Sequence, residues 1–460
     1  MAESGETEGI EVICRSTDCY IWLETFLLPI HYYFEVPAPG IPSNSSVLII
    51  SPWPIEDGLT AAYTRPYLSK IRAQVQSTST VVWFTYESRT KRLAAGKKRS
   101  IKEELLAEGI IWHSTAYVNT PLRGILWLAK TWLFLCWLVV RYRVSVLHTW
   151  TLVPMLVAVP VRWITRTQLV ADSFEPHADA MLETGTWTKK SVFYRLSSCF
   201  ERLGTRQARY WIPAASGMNQ YALNAFGAAD KTVAVKPGGV DFSSFDPVRF
   251  SQSDRLFSAD TVVGVYLGKF GGLYWQREVF DFFSACRTHW GDSFHALLIS
   301  PTEPAQIHRL AAAAGYPSGG YSVYAASHVE VPYYLAQATF ALNATHAVPS
   351  RRYGSPIKDA EYWAMGLPVV LLDRLSDDSF LATAHKLGVI LQGLSPEAYQ
   401  HGVVELASLL EAEPTAERKA RIRGIAQVYR SYAIADPIYA YLYGSGPFPS
   451  ENPYHKLPPH

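Results

Sequence analysis

Lys358 and Glu361 stand three residues apart near the start of a helix that its neighbours define on both sides. Ser355 is a residue type that caps helices, and Pro356 suits a first turn, whose N–H has no intrahelical partner. Gly366 ends the helix, and Pro368 prevents its restart before the apolar run 369–372. At this spacing the two side chains share one helix face. The same end gathers unpaired N–H groups and the positive pole of the helix dipole, which together favour a phosphate. An ammonium for phosphate oxygens and a carboxylate for sugar hydroxyls would suit a ligand that carries both. A solvated Lys/Glu pair has the same spacing, so the surrounding elements must decide between the readings.

A second constellation crowds one loop: Asp172, Glu175, His177 and Asp179. His177 suits a hydrogen bond to a sugar, and Glu175 or Asp172 suits the orienting of a hydroxyl. An ordinary polar loop with a capping aspartate is the alternative. His148 ends another apolar run, where histidine is either a site residue or a structural one. Arg351 and Arg352 precede Ser355; a guanidinium fork fits phosphate, and a solvated loop accounts for the pair equally. Gly58 would let its loop approach a ligand closely.

Residues 47–51 read as a strand, 52–59 as a Pro/Gly loop, 60–74 as a helix and 81–84 as a strand. That order is a βαβ unit of a parallel sheet. Further strands are expected at 144–148 and 168–172, with His148 and Asp172 at their carboxyl ends, where open parallel sheets bind ligands. No G-x-G-x-x-G follows the first strand, so a dinucleotide cofactor is not implied. The second half repeats the pattern, with strands expected at 262–267, 295–299, 321–324, 338–342 and 369–372. Its loop 268–274 contains the adjacent pair Gly271 and Gly272, and helices are expected over 276–287 and 418–443. The fold class is therefore α/β of the GT-B type, two Rossmann-like α/β/α domains facing across a cleft. The expected domains are an N-terminal extension of unassigned order (1–44) and two Rossmann-like domains (45–240 and 241–425). A C-terminal helix (426–443) returns towards the first domain, and a Pro-rich disordered tail (444–460) follows.

The chain has 460 residues, too many for one core, with 48% hydrophobic, 18% charged and 13% aromatic residues. A net charge of +2 gives no general drive towards nucleic acid. Five cysteines, at 14, 19, 136, 199 and 286, lack CxxC spacing and imply neither a disulfide framework nor a zinc site. A reducing cytoplasm is the expectation. Residues 20–36 are apolar but carry Glu24, His31 and Glu35, which suits a membrane span poorly. Residues 89–102 form a basic run. Residues 124–140 are strongly apolar, flanked by Arg123, Arg141 and Arg143 and interrupted by Lys130. They fall short of the roughly twenty residues that span a bilayer. Two readings stay open: a helix buried against the first sheet, or an interfacial helix docked on an anionic membrane surface.

Four segments in order resemble motifs of the group 1 retaining glycosyltransferases. Val235-Lys-Pro-Gly-Gly-Val-Asp241 with Phe245 and Pro247 is similar to the family's P-N-G-V-D…F…P junction. Gly268-Lys269-Phe-Gly is similar to its G-R loop, and residues 356–370 to its donor-site helix. Residues 171–179 stand where the family has a polar loop facing the cleft. The resemblance implies a glycosyltransferase that moves a sugar from a nucleotide-diphosphate donor, with retention and without a metal or other cofactor. The acceptor would be a glycan or a lipid-linked glycan in surface polysaccharide or glycoconjugate synthesis. The enzyme would be cytoplasmic, either free or peripheral on the inner membrane face. The implied donor-binding residues are Gly58, Gly268, Lys269, Arg351, Ser355, Lys358 and Glu361, and the implied catalytic residues are His177, Glu175 and Lys269. Glu361 matches the second of the family's paired glutamates. The first would fall at Tyr353, and the lysine that follows the G-R loop falls at Tyr274. That departure keeps open a catalytically silent scaffold, and a small soluble acceptor also stays open.

Overall fold

The computed structural model describes residues 40–88, 93–117, 121–250 and 255–457. Most of the expected N-terminal extension, four residues of the basic run (89–92) and the last three of the chain lie outside them. Among the described residues, β-branched and aromatic runs bounded by turns form twelve strands in two parallel sheets. The first sheet comprises β1 (Ser46–Ser51), β2 (Val81–Glu87), β3 (Ile110–Ala116), β4 (Val144–Trp150), β5 (Gln168–Ser173) and β6 (Tyr210–Pro213), in the order β3-β2-β1-β4-β5-β6. The second comprises β7 (Val262–Leu267), β8 (Phe294–Ile299), β9 (Tyr321–Tyr324), β10 (Phe340–Leu342), β11 (Val369–Leu372) and β12 (Gly388–Leu391), in the order β12-β11-β10-β7-β8-β9. Read from its own first strand, each sheet has the same doubly wound order, with its topological switch between the first and fourth strands. Helices cover both faces, so strands such as Val47–Ile50 and Val369–Leu371 are wholly buried.

The strands β3, β6 and β12 were not expected from the sequence, and all three are edges. The helix expected over 418–443 is two helices, Thr415–Arg430 and Asp436–Tyr443, with a break at 431–435. Thr415–Arg430 packs on Ile357–Ala364 in the second half, and Asp436–Tyr443 packs on Arg65–Gln74 in the first. Lys70 Nζ donates to Asp436 Oδ1 at 2.6 Å, which ties the returning helix down. The chain thus crosses between halves twice, and the crossings lie side by side, with Val240 N donating to Arg430 O at 2.8 Å.

The expectation of disorder over 444–460 fails for 444–457. Asn452 Nδ2 donates to Val235 O at 2.9 Å, and Tyr454 is buried with its hydroxyl donating to Tyr429 O at 3.1 Å. A buried tyrosine ring with a satisfied hydroxyl outweighs the lack of periodicity that suggested disorder.

Candidate functional site

A cleft of about 1320 Å³ opens between the carboxyl edges of the two sheets. Its second-half wall is built on helix Ile357–Ala364. This helix starts at Pro356, and Gly366 closes it with φ +71°, after which Leu367 N donates back to Tyr362 O. Ser355 is not the cap expected of it. Its hydroxyl accepts from Gly238 N at 3.0 Å, so it fastens the helix entrance to the first crossing, and the helix start has no side-chain cap. Lys358 and Glu361 both line the cleft, as the shared face requires.

The Lys358 ammonium lies 3.8 Å from the ring centroid of Tyr274, and no carboxylate pairs with it among the described residues. Tyr274 occupies the place where the resemblance puts a lysine. The nearby Lys358 ammonium, with help from Arg351 and Lys269, holds its phenol below the ordinary tyrosine range. Gly268 makes the arrangement possible. Its φ is +153°, and a Cβ there would lie 2.5 Å from the Lys358 nitrogen. Lys269 itself is exposed and does not line the cleft, standing 6.0 Å from the Tyr274 centroid. Glu361 is buried and accepts from His328 Nε2 at 2.9 Å. That hydrogen bond raises the His328 pKa above its ordinary value.

Behind the helix lies a sealed charge cluster that sequence reading missed. Arg430 is 1% exposed; it donates to Asp378, to Pro356 O at the helix entrance, and through Nε to Gly238 O at 2.9 Å. Asp359 accepts twice from Asn343 Nδ2, at 2.9 and 2.7 Å. Burial pushes the carboxyls of Asp359 and Asp378 upward, each against the pull of Arg430. The sequence signal was present only as two acidic residues at apolar positions, and without the fold nothing pairs them with Arg430.

From the first half, Gly58, Glu175 and His177 reach the cleft. Arg351 Nη2 forms an ion pair across it with Glu175 Oε2 at 2.8 Å, and His177 Nδ1 lies 3.8 Å from Glu175 Oε1. Burial would raise the Glu175 pKa, but Arg351 and His177 outweigh it and keep the group a carboxylate. His177 opens helix His177–Glu183, whose Ala178 N donates to the buried Glu201 at 3.0 Å.

The other two members of the loop do not face the cleft. Asp179 accepts from the hydroxyls of Tyr194 and Tyr221, within the first half. Asp172 is wholly buried, with Lys236 Nζ 3.2 Å away, His148 Nε2 3.5 Å away and the Tyr63 hydroxyl donating at 3.1 Å. His148 is sealed as well, its Nδ1 2.5 Å from the Tyr443 hydroxyl. Tyr353, at the position of the missing glutamate, lies ring to ring with Tyr221 at 4.7 Å and joins the core of the first half.

A comparison with protein-family models gives no match, and a search of curated proteins gives none. Solved structures share the fold. HepE of Anabaena, crystallised with UDP and glucose, aligns with a TM-score of 0.62 at 14% identity, over 86% of this chain and 98% of its own. Sucrose-phosphate synthase of Thermosynechococcus elongatus gives 0.63 at 14%, over 84% and 95%. A glycosyltransferase of Rickettsia africae gives 0.62 at 12%, over 86% and 98%. At such identities the likeness establishes the architecture, two Rossmann-like domains of the GT-B type.

Proposed function

We propose that this chain is a glycosyltransferase that takes a nucleotide-diphosphate sugar on the second-half wall and passes the sugar to an acceptor held by the first half. The observation that carries the reading is Lys358, a cation without a carboxylate partner among the described residues, at the amino end of helix Ile357–Ala364, with Glu361 one turn along in the same cleft. The fold shared with HepE, crystallised with UDP and glucose, supports a nucleotide-sugar there.

Transfer breaks the bond between the anomeric carbon and a phosphate oxygen, and the electron pair leaves with the diphosphate. An acceptor oxygen bonds to that carbon, and its proton passes to the departing phosphate. Lys358 and the helix N–H groups would stabilise the departing charge, and such preorganised donors often supply the largest part of a rate enhancement. Glu361 would exchange His328 for the ribose hydroxyls. Glu175 aims Arg351 across the cleft, and His177 is placed to hydrogen-bond the transferred sugar. The reading invokes no metal. Retention, a role in surface polysaccharide or glycoconjugate synthesis and a cytoplasmic setting belong to the proposal through the motif resemblance.

Thermal shift against UDP, GDP, ADP and CMP, followed by transfer assays, tests it, since a ligand of the native state raises its stability. One diphosphate should stabilise the protein. Lys358→Ala and Glu361→Ala should each weaken it by about tenfold or more, roughly 1.4 kcal/mol per factor of ten. Unchanged affinity in both variants would remove the helix from the site. A second reading, nucleotide binding without turnover, is favoured by Tyr353, which stands where the resemblance puts a glutamate and packs on Tyr221. Binding without donor hydrolysis or transfer across a panel of nucleotide-sugars would select it.

A further inference from the structure

The cleft is larger than a polar donor site explains. Beyond His177 its lining turns apolar, with Ile125, Trp127, Leu128, Leu156, Val192 and Phe193 facing one another across the first half. This arm lies under helix Pro121–Arg141, which is longer than the run 124–140 read from the sequence. Contrary to that reading, the helix is over Arg123–Arg141 long and apolar enough, by length and composition, to cross a membrane. Its inner face, however, is committed to the protein. Thr131, Leu135, Leu138 and Val139 are buried, and Trp132 Nε1 donates to Leu156 O at 3.2 Å.

The outer face is where the helix departs from the norm. The residues at 126, 130, 133, 137 and 140 follow the alternating four-and-three spacing of a single helix face. On a helix that packs against a core, this solvent stripe is normally polar. Here, apart from Lys130, it is apolar and open: Leu126 is 57% exposed, Leu133 72%, Trp137 50% and Val140 75%. No acidic residue occurs from Pro121 to Arg143, whereas Arg123, Lys130, Arg141 and Arg143 do. On the opposite lip of the arm, Val192 and Phe193 are also exposed, directly after exposed Lys189 and Lys190. Exposed apolar side chains edged by basic groups are the composition that lies in an anionic lipid interface.

We propose that this face rests on an anionic lipid surface and that the apolar arm receives the hydrocarbon of an acceptor drawn from that surface. The inference rests on the transferase reading above and names its acceptor class, a lipid whose polar head reaches the reacting sugar while its tail lies against Trp127, Leu128 and Leu156. The orientation is set by the cleft itself, cationic beside Lys358 and apolar at the other end.

Cosedimentation of the full chain with vesicles of phosphatidylglycerol and phosphatidylcholine tests the surface. Binding is expected at low salt, weaker with phosphatidylcholine alone. Leu133→Glu with Val140→Glu should reduce it about tenfold or more. Both side chains are exposed, so the double variant should fold, and nucleotide affinity measured by calorimetry should stay unchanged. A photoreactive farnesyl phosphate should label Leu128 or Leu156. Absence of vesicle binding in the full chain overturns the proposal, as does labelling confined to residues outside the arm. Vesicle binding without affinity for any nucleotide leaves this surface standing and removes the donor reading instead, so the two failures are distinguishable.

Discussion

The two halves have one strand order and use their charges in opposite ways. In the second half, Lys358 and Glu361 face the cleft while Arg430, Asp359 and Asp378 lock the helix from behind. In the first half the corresponding sheet edge carries Asp172 and His148, and both are sealed with Lys236 beneath an aromatic lid. Tyr63, Tyr67, Tyr439 and Tyr443 close over them, and Phe174 meets Tyr63 edge to face towards the cleft. A polar group at the carboxyl end of a parallel strand is therefore not a site residue by position alone. What covers that end decides, and here the returning helix Asp436–Tyr443 covers the first half only. The anchors differ in kind as well. Arginine stays protonated at any accessible pH, whereas burial lowers the Lys236 pKa to about 8.

Removing the anchors should expose that contrast. Arg430→Ala leaves two buried carboxyls without their cation and frees the Pro356 and Gly238 carbonyls. A loss of about 3–5 kcal/mol is expected in chemical denaturation. Lys236→Ala should cost less, about 2–3 kcal/mol, because Asp172 keeps the Tyr63 hydroxyl and the neighbouring His148. Equal losses would mean that the two clusters are equivalent supports.

Titration sharpens the same comparison. The Lys236 value near 8 lies below the ordinary lysine value of about 10.4. Between the two the unfolded chain holds a proton that the folded chain lacks, so this group makes stability rise with pH. The contribution is complete above the unfolded value and lost as pH falls through the folded one. Denaturation at pH 8 to 9.5, taken as the difference between wild type and Lys236→Met, should show a positive slope in wild type only. The Arg430 cluster should give no counterpart. A flat difference would mean that Lys236 stays charged.

Gly268→Ala probes the open face of the second half. A Cβ at Gly268 would meet the Lys358 nitrogen at 2.5 Å and the Tyr266 hydroxyl at 3.0 Å. The flexible lysine would yield, so nucleotide affinity should fall about tenfold, roughly 1.4 kcal/mol, with a smaller change in melting temperature. A variant that melts early yet binds normally would make Gly268 a backbone requirement rather than a ligand-side one.

The sequence made the repeated α/β halves legible because strands such as Val262–Leu267 and Val369–Leu372 are central and apolar on both faces. It also brought Lys358 and Glu361 to one cleft, since helical spacing is local geometry. It failed where the answer depends on distant chain. Ser355 looks like a cap until Gly238 competes for its hydroxyl, and Asp172 looks exposed until Tyr63, Tyr439 and Tyr443 arrive from elsewhere. Tyr353 could be read only as a missing glutamate. Its use as a contact to Tyr221 between the halves lies in no local pattern.

The smallest expected effect falls on the one pairing that straddles the two uses of charge, His328 with Glu361. The carboxylate is buried, the imidazole side chain is 42% exposed, and both line the cleft. The raised His328 pKa means that the pairing contributes fully below the ordinary value of about 6.5 and is lost as pH rises through the higher folded value. A ribose that needs Glu361 competes with that contact, so nucleotide affinity should climb with pH across this window, about threefold given the modest worth of a partly exposed pair. His328→Gln should flatten the profile at the high-pH affinity. Persistence of the slope in that variant would assign it to another group. An affinity that falls with pH would mean that the protonated imidazole itself holds the nucleotide, and the open wall would then contain a third cation beside Lys358 and Arg351.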